Sequence, residues 1–216
     1  MPTRIVIGGD KGGARTRGEV GDEPASGTIT VATYNVRDGR GRGEDGEEYI
    51  GIVSSARAMG MMNVDVAVLQ ETKITDPVFA ARNFEGYAIL AAAADSDRRG
   101  GVALLVREND NFSVENEKVR GPNVISFELI TGKDERWYAV GCYLPPTDVE
   151  GRARRTVEAA LAAQPRGTRL LLMGDLNADL DCPRDRQEEI LASDLAGRGL
   201  RCMTGHFVTR RRRRCR

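Results

Sequence analysis

The sequence lacks the features that mark membrane-spanning, secreted and disulfide-rich proteins. It has no apolar run of about eighteen residues, the length that a spanning helix needs. Its N-terminal segment carries glycines and acidic residues where a signal peptide has an apolar stretch. Its four cysteines are too few for a disulfide scaffold and too widely spaced for a zinc knuckle. We therefore expect reduced thiols, no membrane partner, and a nuclear or cytoplasmic protein that is not secreted.

The formal net charge of zero conceals a basic C-terminal run and an acidic remainder. Six of the 32 basic residues lie from position 210 onward, which leaves 26 against 32 acidic residues in the rest of the chain. An acidic body is a poor non-specific binder of polyanions, so a nucleic-acid contact would use a local basic groove or this run. A solvated charge run is the alternative. The candidate nucleic-acid-binding residues are Arg210, Arg211, Arg212, Arg213 and Arg214.

The composition divides the chain into three segments. Residues 1–27 are rich in Gly and charge and predict a disordered leader. Residues 28–209 carry the apolar runs of one domain, and residues 210–216 form an arginine-rich tail. The stretch GGDKGG in the leader lacks the spacing and the Lys-Ser/Thr ending of a phosphate-binding loop, so we assign it no function.

Short apolar runs rich in β-branched residues predict strands, and helical patterns lie between some of them. Three helices are expected, over Tyr49–Met62, from an Asp148 cap to Ala163, and over about Arg186–Ala196. Strands in adjacent pairs, interrupted by helices, favour a mixed-sheet α/β sandwich over a doubly wound parallel sheet. The predicted strands are Ile29–Val36, Val64–Leu69, Tyr87–Ala92, Val102–Val106, Val124–Thr131, Trp137–Leu144 and Leu170–Met173.

Polar residues follow three of these strands at their C-terminal ends. Asn35 ends the first, Glu71 follows the second, and Asp175 and Asn177 follow the run that stops at Gly174. Each of them alone is typical of a turn or a helix cap. Together they indicate a site, because carboxylate and carbonyl oxygens are the ligands that Mg²⁺ and Mn²⁺ prefer, and magnesium typically takes only one or two protein carboxylates. Glu71 beside Asn35 fits such a sparse metal site.

The order of motifs resembles the endonuclease/exonuclease/phosphatase superfamily, which includes pancreatic deoxyribonuclease and the abasic-site repair nucleases. The resemblance covers Ile29 to about Asn177 and rests on TYNVR, LQETK, RGGVALLV, GCYLPPTD and GDLNADL, in that order. The third and fourth stretches look most like the endonuclease domain that precedes the reverse transcriptase in non-LTR retrotransposons. The resemblance implies a deoxyribonuclease-like α/β fold, with two mixed β-sheets packed face to face and helices outside.

The same resemblance implies a metal-dependent phosphodiester hydrolase, most similar to a DNA endonuclease, with Mg²⁺ or Mn²⁺ and no small-molecule cofactor. Glu71 would be the main metal ligand, and Asn35 would complete or orient the metal site. Asp175 would position or deprotonate the attacking water. Asn177 would donate its amide hydrogens to the phosphate oxygens, and Tyr143 would donate its hydroxyl to the phosphate.

The chain departs from the family pattern after Asn177. The family closes with further strands and a terminal Asp-His pair that is essential to hydrolysis, whereas the single histidine here, His206, follows Gly205 and is expected to be structural or exposed. We therefore expect a truncated domain without its last strands, with weak or no activity. The alternatives are a non-catalytic remnant that binds nucleic acid through its basic tail, and a hydrolase of inositol phosphates or lipid head groups.

Overall fold

The computed structural model of the chain describes residues 3–8, 15–16, 28–39, 50–75, 83–94, 100–132, 134–146, 148 and 151–202. The chain forms two compact units, Met1–Leu176 and Asn177–Arg216. His206 and the predicted arginine-rich tail lie outside the described residues.

The first unit is built from two β-sheets, and both sheets are mixed. The strands are β1 (Thr3–Gly8), β2 (Arg15–Thr16), β3 (Thr28–Asn35), β4 (Val66–Gln70), β5 (Asn83–Phe84), β6 (Tyr87–Ala92), β7 (Val102–Arg107), β8 (Phe112–Gly121), β9 (Val124–Thr131), β10 (Arg136–Tyr143) and β11 (Arg169–Asp175). In the larger sheet, of order β2-β1-β3-β4-β7-β6-β5, the β3 and β4 strands are parallel and the other pairs are antiparallel. In the smaller sheet, of order β11-β10-β9-β8, only β10 and β11 are parallel.

Two layers of apolar side chains hold this unit together, since successive residues of a strand point to opposite faces. On the outer face of the larger sheet, helix α1 (Ile50–Met61) buries Ile52 and Ala56 in a cluster with Ala67 and Leu69. The inner face meets the smaller sheet so closely that a Cβ at Gly141 would lie 2.9 Å from the Val68 side chain. The predicted fold class, a sandwich of two mixed sheets, is confirmed.

Helix α2 (Arg152–Ala162) packs against the smaller sheet, where the Tyr138 hydroxyl donates to the carbonyl of Ala160 at 3.0 Å. The predicted Asp148 cap differs in detail from the structure. Gly151 is the residue that begins the helix, and it makes no side-chain capping bond. The Asp148 carboxylate instead accepts the Arg154 backbone N–H at 3.0 Å, so it satisfies a first-turn donor from outside the capping position.

The structure differs from the sequence analysis mainly at two sites of strand pairing. Strand β1 lies within the segment predicted as a disordered leader and pairs antiparallel along β3. This pairing satisfies the backbone groups that β3 would otherwise present at an open sheet edge. Strand β8 is absent from the predicted strands because most of its side chains are exposed and polar, and its identity depends on its backbone pairing with β9.

The second unit contributes helix α3 (Arg186–Gly197), close to the predicted bounds. Asp185 caps it by accepting the backbone N–H groups of Gln187 and Glu188. Cys182 is disulfide-bonded, so the expectation of a reduced thiol is wrong for this residue. Among the described residues, no helix is long and apolar enough to cross a membrane.

Candidate active site

The C-terminal ends of four strands meet between the two sheets of the first unit. In the larger sheet, the parallel pairing of β3 and β4 sets Asn35 beside Gln70, so Glu71 follows at the same edge. In the smaller sheet, the parallel pairing of β10 and β11 sets Tyr143 beside Asp175. Four residues that the sequence analysis selected therefore stand at the ends of neighbouring strands.

Asn35 links the two sheets at this edge. Its Nδ2 donates to Glu71 Oε1 at 2.6 Å and to Asp175 Oδ2 at 3.0 Å, although Asp175 lies 140 residues further along the chain. Its Oδ1 accepts the Arg37 backbone N–H at 2.9 Å, which fixes the amide in this orientation. A single amide nitrogen thus holds two half-buried carboxylates together, and hydrogen bonds to charged acceptors are the stronger kind.

The chain leaves β4 through backbone conformations that side chains rarely adopt. Glu71 and Lys73 have φ values of 55° and 54°, in the left-handed region. The intervening segment is fastened by the Thr72 N–H, which donates to the Gly101 carbonyl at 3.2 Å, and by the Lys73 N–H, which donates to the Gly100 carbonyl at 2.9 Å. Backbone strain of this kind persists where the surroundings enforce it, and it clusters at functional sites.

Gly174 lets the backbones of β10 and β11 approach closely just before Asp175. Its φ is 146°, and a Cβ there would lie 1.9 Å from the Cys142 carbonyl oxygen. Strand β11 continues through Gly174 to Asp175, two residues beyond the predicted strand end at Met173. Burial raises the pKa of the Cys142 thiol to about 12, and the charge of Asp175 adds to the shift, so Cys142 is a neutral packing group.

Tyr143 is buried, and its strand end is held by Asn123. The Asn123 carbonyl accepts the Tyr143 N–H at 2.9 Å, and Asn123 Oδ1 accepts the Gly101 N–H at 3.1 Å. Asn123 therefore connects the end of β10 to the glycine segment that fastens Glu71. Sequence reasoning missed this residue, because an Asn between two strands is also typical of a turn.

Two further polar residues below and beside the site were also missed. Gln70 is buried, and its Nε2 donates to Thr33 Oγ1 at 2.8 Å and to the Val68 carbonyl at 2.7 Å, so it supports the inner face beneath Asn35. Lys73 Nζ lies 3.8 Å from Asp38 Oδ2. The motif LQETK contains Gln70 and Lys73, but a motif does not state which of its residues points into a site.

The remaining predicted site residues do not belong to the described part of the first unit. Asn177 is the first residue of the second unit, with an exposed side chain, a φ of 47° and a carbonyl that accepts from Arg184 Nη2 at 3.0 Å. The five arginines from 210 to 214 lie outside the described residues, so their predicted role stays a prediction.

Comparison with protein families matches this arrangement to one of them. A model of the endonuclease/exonuclease/phosphatase family matches residues 32–216, which includes every strand end described above. The chain belongs to this family. Members of the endonuclease/exonuclease/phosphatase family are hydrolases of phosphoester bonds, and they generally use divalent metals. No curated protein sequence matches the chain.

Solved structures agree with the family fold. An AP endonuclease from Archaeoglobus fulgidus is similar with a TM-score of 0.50 and 16% identity, over 78% of this chain and 70% of that one. ANGEL2, a 2′,3′-cyclic phosphatase, is similar with a TM-score of 0.50 and 14% identity, over 74% of this chain and 55% of that one. The catalytic domain of Xenopus laevis APE2 has a TM-score of 0.49 and 16% identity, over 81% of this chain and 68% of that one. At such identities, the first two likenesses show the fold alone.

The donor set can be tested against the divalent metal that the family implies. Among the described residues, no group of three or more His, Cys, Asp or Glu side chains could hold a metal ion. Magnesium needs less than that, since one or two carboxylates suffice when water and substrate phosphate complete its shell. Glu71 and Asp175, which share the Asn35 nitrogen, supply two carboxylates. The residues therefore fit a hard divalent cation, with Asn35 as the group that orients the carboxylates.

Proposed function

We propose that this chain is a Mg²⁺- or Mn²⁺-dependent phosphodiester hydrolase that acts on DNA as an endonuclease. The observation that carries the proposal is the shared donor, since Asn35 Nδ2 bonds to Glu71 at 2.6 Å and to Asp175 at 3.0 Å. These contacts bring two carboxylates, one from each sheet, together at one edge of the fold. The chain belongs to a family whose members hydrolyse phosphoesters.

Glu71 would hold the cation, and Asn35 would keep the Glu71 carboxylate directed toward it. A bound Mg²⁺ neutralises charge on the phosphate and makes a bound water more acidic. Asp175 is positioned beside Glu71 through the same amide, so its carboxylate would orient the attacking water and accept its proton. Gly174 fixes the place of Asp175, because no other residue fits against Cys142 at that point.

Negative charge grows on the transferred phosphate during the reaction, and preorganised donors stabilise it. Tyr143 ends the strand beside Asp175 and would donate its hydroxyl to a phosphate oxygen. Asn177 follows Asp175 by two residues and would donate its amide hydrogens. Both assignments come from matching positions in the family motifs CYLPP and GDLN.

The retrotransposon origin and the DNA substrate are proposed from sequence. The stretches RGGVALLV and GCYLPPTD look most like the endonuclease domains of non-LTR retrotransposons, and in the structure the first of them supplies the Gly100 and Gly101 carbonyls that fasten the segment after Glu71. The arginine run that begins at Arg210 would add phosphate contacts on DNA. A nuclear or cytoplasmic location follows from such a substrate.

Nicking of supercoiled plasmid, with the chain in molar excess, tests the proposal. We expect weak nicking with Mg²⁺ or Mn²⁺, none with EDTA, and a loss to background in Glu71→Gln and Asp175→Asn, because losing one member of a catalytic unit costs orders of magnitude. Glu85→Gln is the control, since Glu85 pairs with Arg57 at the surface. Nicking in EDTA, or full activity of Glu71→Gln, would overturn the proposal. Metal-dependent phosphate release from inositol phosphates or lipid head groups without nicking would replace DNA by those substrates.

A further inference from the structure

The segment from Asn177 to Arg184 in the second unit is closed by one guanidinium group. Arg184 Nη2 donates to the Asn177 carbonyl at 3.0 Å. Arg184 is itself fixed by Glu188, whose Oε1 accepts from Arg184 Nε at 2.8 Å and also from Nη2, and whose Oε2 accepts the Arg184 backbone N–H at 2.7 Å. The Asn177 carbonyl is thus tied to helix α3 through a forked ion pair.

Glu188 gives this ion pair a rigid base. It lies in the first turn of α3 and is only 8% exposed, unlike the exposed Arg184. Asp185, the capping residue, accepts the Glu188 backbone N–H at 3.0 Å. The hydrogen bond from Arg184 lowers the pKa of Glu188, so the carboxylate is ionised at neutral pH. The buried Glu188 carboxylate therefore holds Arg184 against the carbonyl of one exposed loop residue, Asn177.

That loop residue has a constrained backbone. Asn177 has a φ of 47°, and Asn is among the few residues that tolerate the left-handed region. The direction of its carbonyl is set by its ψ angle, so a donor held against the carbonyl restricts ψ. Because the side chain departs from the same Cα, a fixed backbone also fixes the direction of the Asn177 Cα–Cβ bond, from which the amide extends.

We propose that Arg184 is a positioning residue that acts through Asn177, holding its backbone so that the side-chain amide is presented to substrate phosphate in one fixed direction. The inference rests on the proposed function, in which Asn177 stabilises the charge that grows on the phosphate. Arg184 itself contacts the Asn177 backbone and Glu188 and needs no contact with substrate.

Kinetics of plasmid nicking distinguishes positioning from general charge. Arg184→Ala should lower kcat by about tenfold to a hundredfold, the scale expected when a catalytic group is misplaced by about an ångström, and it should leave KM for DNA nearly unchanged. Arg184→Lys, which keeps the charge beside Glu188 but has no fork to reach the Asn177 carbonyl, should show the same loss in a folded protein. Arg186→Ala is the matched control, since it removes an exposed charge two residues away and should leave kcat unchanged.

A double mutant tests whether the effect passes through Asn177. Arg184→Ala added to Asn177→Ala should cost nothing further, because the group that it positions is already gone. Independent losses that multiply would overturn the inference, as would a change in KM alone.

Nuclear magnetic resonance gives a readout that does not need activity. In isotope-labelled protein, Arg184→Lys should move the Asn177 backbone carbon and nitrogen shifts away from left-handed values, while Arg186→Ala should not move them. Unchanged Asn177 shifts in Arg184→Lys would overturn the inference. If the wild-type chain nicks no DNA, the proposed function fails, and the shifts still decide whether Arg184 sets the Asn177 backbone.

Discussion

Replacing Asn35 by Asp removes the amide that joins the two carboxylates and puts a third carboxylate in its place. The change is nearly isosteric, so it leaves the packing of the sheet edge as it is. It deletes the two bonds that Asn35 Nδ2 donates to Glu71 and Asp175, at 2.6 and 3.0 Å. It also sets three like charges against one another. Without metal, the folded state should therefore lose stability.

The magnitude follows from the two hydrogen bonds. Bonds to charged groups contribute about 1.5–3 kcal/mol each, and water can replace part of that at a half-buried site, so we expect a loss of about 3 kcal/mol in the free energy of unfolding. For a protein of this size a loss of 1 kcal/mol lowers Tm by about 2–4 °C. The variant should therefore melt about 6–12 °C below the wild type in EDTA.

The assay is thermal and urea unfolding in EDTA at neutral pH, with Asn109→Asp as the matched control. Asn109 makes the same kind of bond once, from its Nδ2 to Asp65 Oδ1 at 3.3 Å. One long bond should be worth about 1 kcal/mol or less. If Asn35→Asp is as stable as the wild type, or if Asn109→Asp loses as much, the shared amide is not what holds the carboxylates.

Adding Mg²⁺ should stabilise Asn35→Asp more than it stabilises the wild type. A cation at about 100 times its Kd stabilises the folded state by about 2.7 kcal/mol, and a third carboxylate raises the affinity. The Tm gain on adding Mg²⁺ should therefore be larger in Asn35→Asp than in the wild type, and Asn109→Asp should match the wild type. An equal gain in all three proteins would mean that the cation binds away from Asn35.

Three further outcomes are expected. Gly174→Ala should destabilise the fold by about 3 kcal/mol or more in urea unfolding, since its φ of 146° and the Cys142 carbonyl exclude a side chain, whereas Gly60→Ala, in α1 with open space around it, should gain about 0.5–1 kcal/mol. The Cys142 thiol, with its pKa raised to about 12, should resist iodoacetamide at pH 8 in the native protein and react after unfolding. The pKa of Glu188 is lowered in the folded state, so its contribution to stability is complete above its ordinary pKa of 4.5 and is lost as the pH falls through the folded-state pKa. The free energy of unfolding of Glu188→Gln should therefore depend less on pH in acid than that of the wild type. Parallel pH profiles of the two proteins would refute the pairing with Arg184.

The strands that the sequence predicts well are those with buried side chains. Strands β6 and β9 match the predicted bounds at both ends, because a run such as VISFELIT has an apolar composition that only burial explains. Strand β8, FSVENEKVRG, carries mostly exposed polar side chains and becomes a strand through backbone pairing with β9. Composition reports burial, and it does not report which backbone groups find a partner.

The structure brings four of the predicted site residues to neighbouring strand ends, and the roles assigned to them stay predictions. Asn35 was expected to complete or orient a metal site, and the structure uses its nitrogen as a donor to both carboxylates while its oxygen accepts from the Arg37 backbone. This choice depends on Asp175, which reaches Asn35 only when the two sheets pack. No local pattern around Asn35 contains that information, because its decisive partner is 140 residues away.

The residues that leave the strands show why the fold and the site cannot be separated. Arg37, Glu71 and Asn177 all have left-handed backbones, and each lies within two residues of a strand end that carries a candidate group. For Arg and Glu this conformation costs about 1–2 kcal/mol, which local sequence would never favour. At Glu71 the cost is offset by bonds from the next two residues to the Gly100 and Gly101 carbonyls. The packing of the sandwich therefore enforces the left-handed backbone conformation that directs Glu71 toward Asn35. A strand pattern predicts where such a turn begins, but it does not predict that its backbone is left-handed.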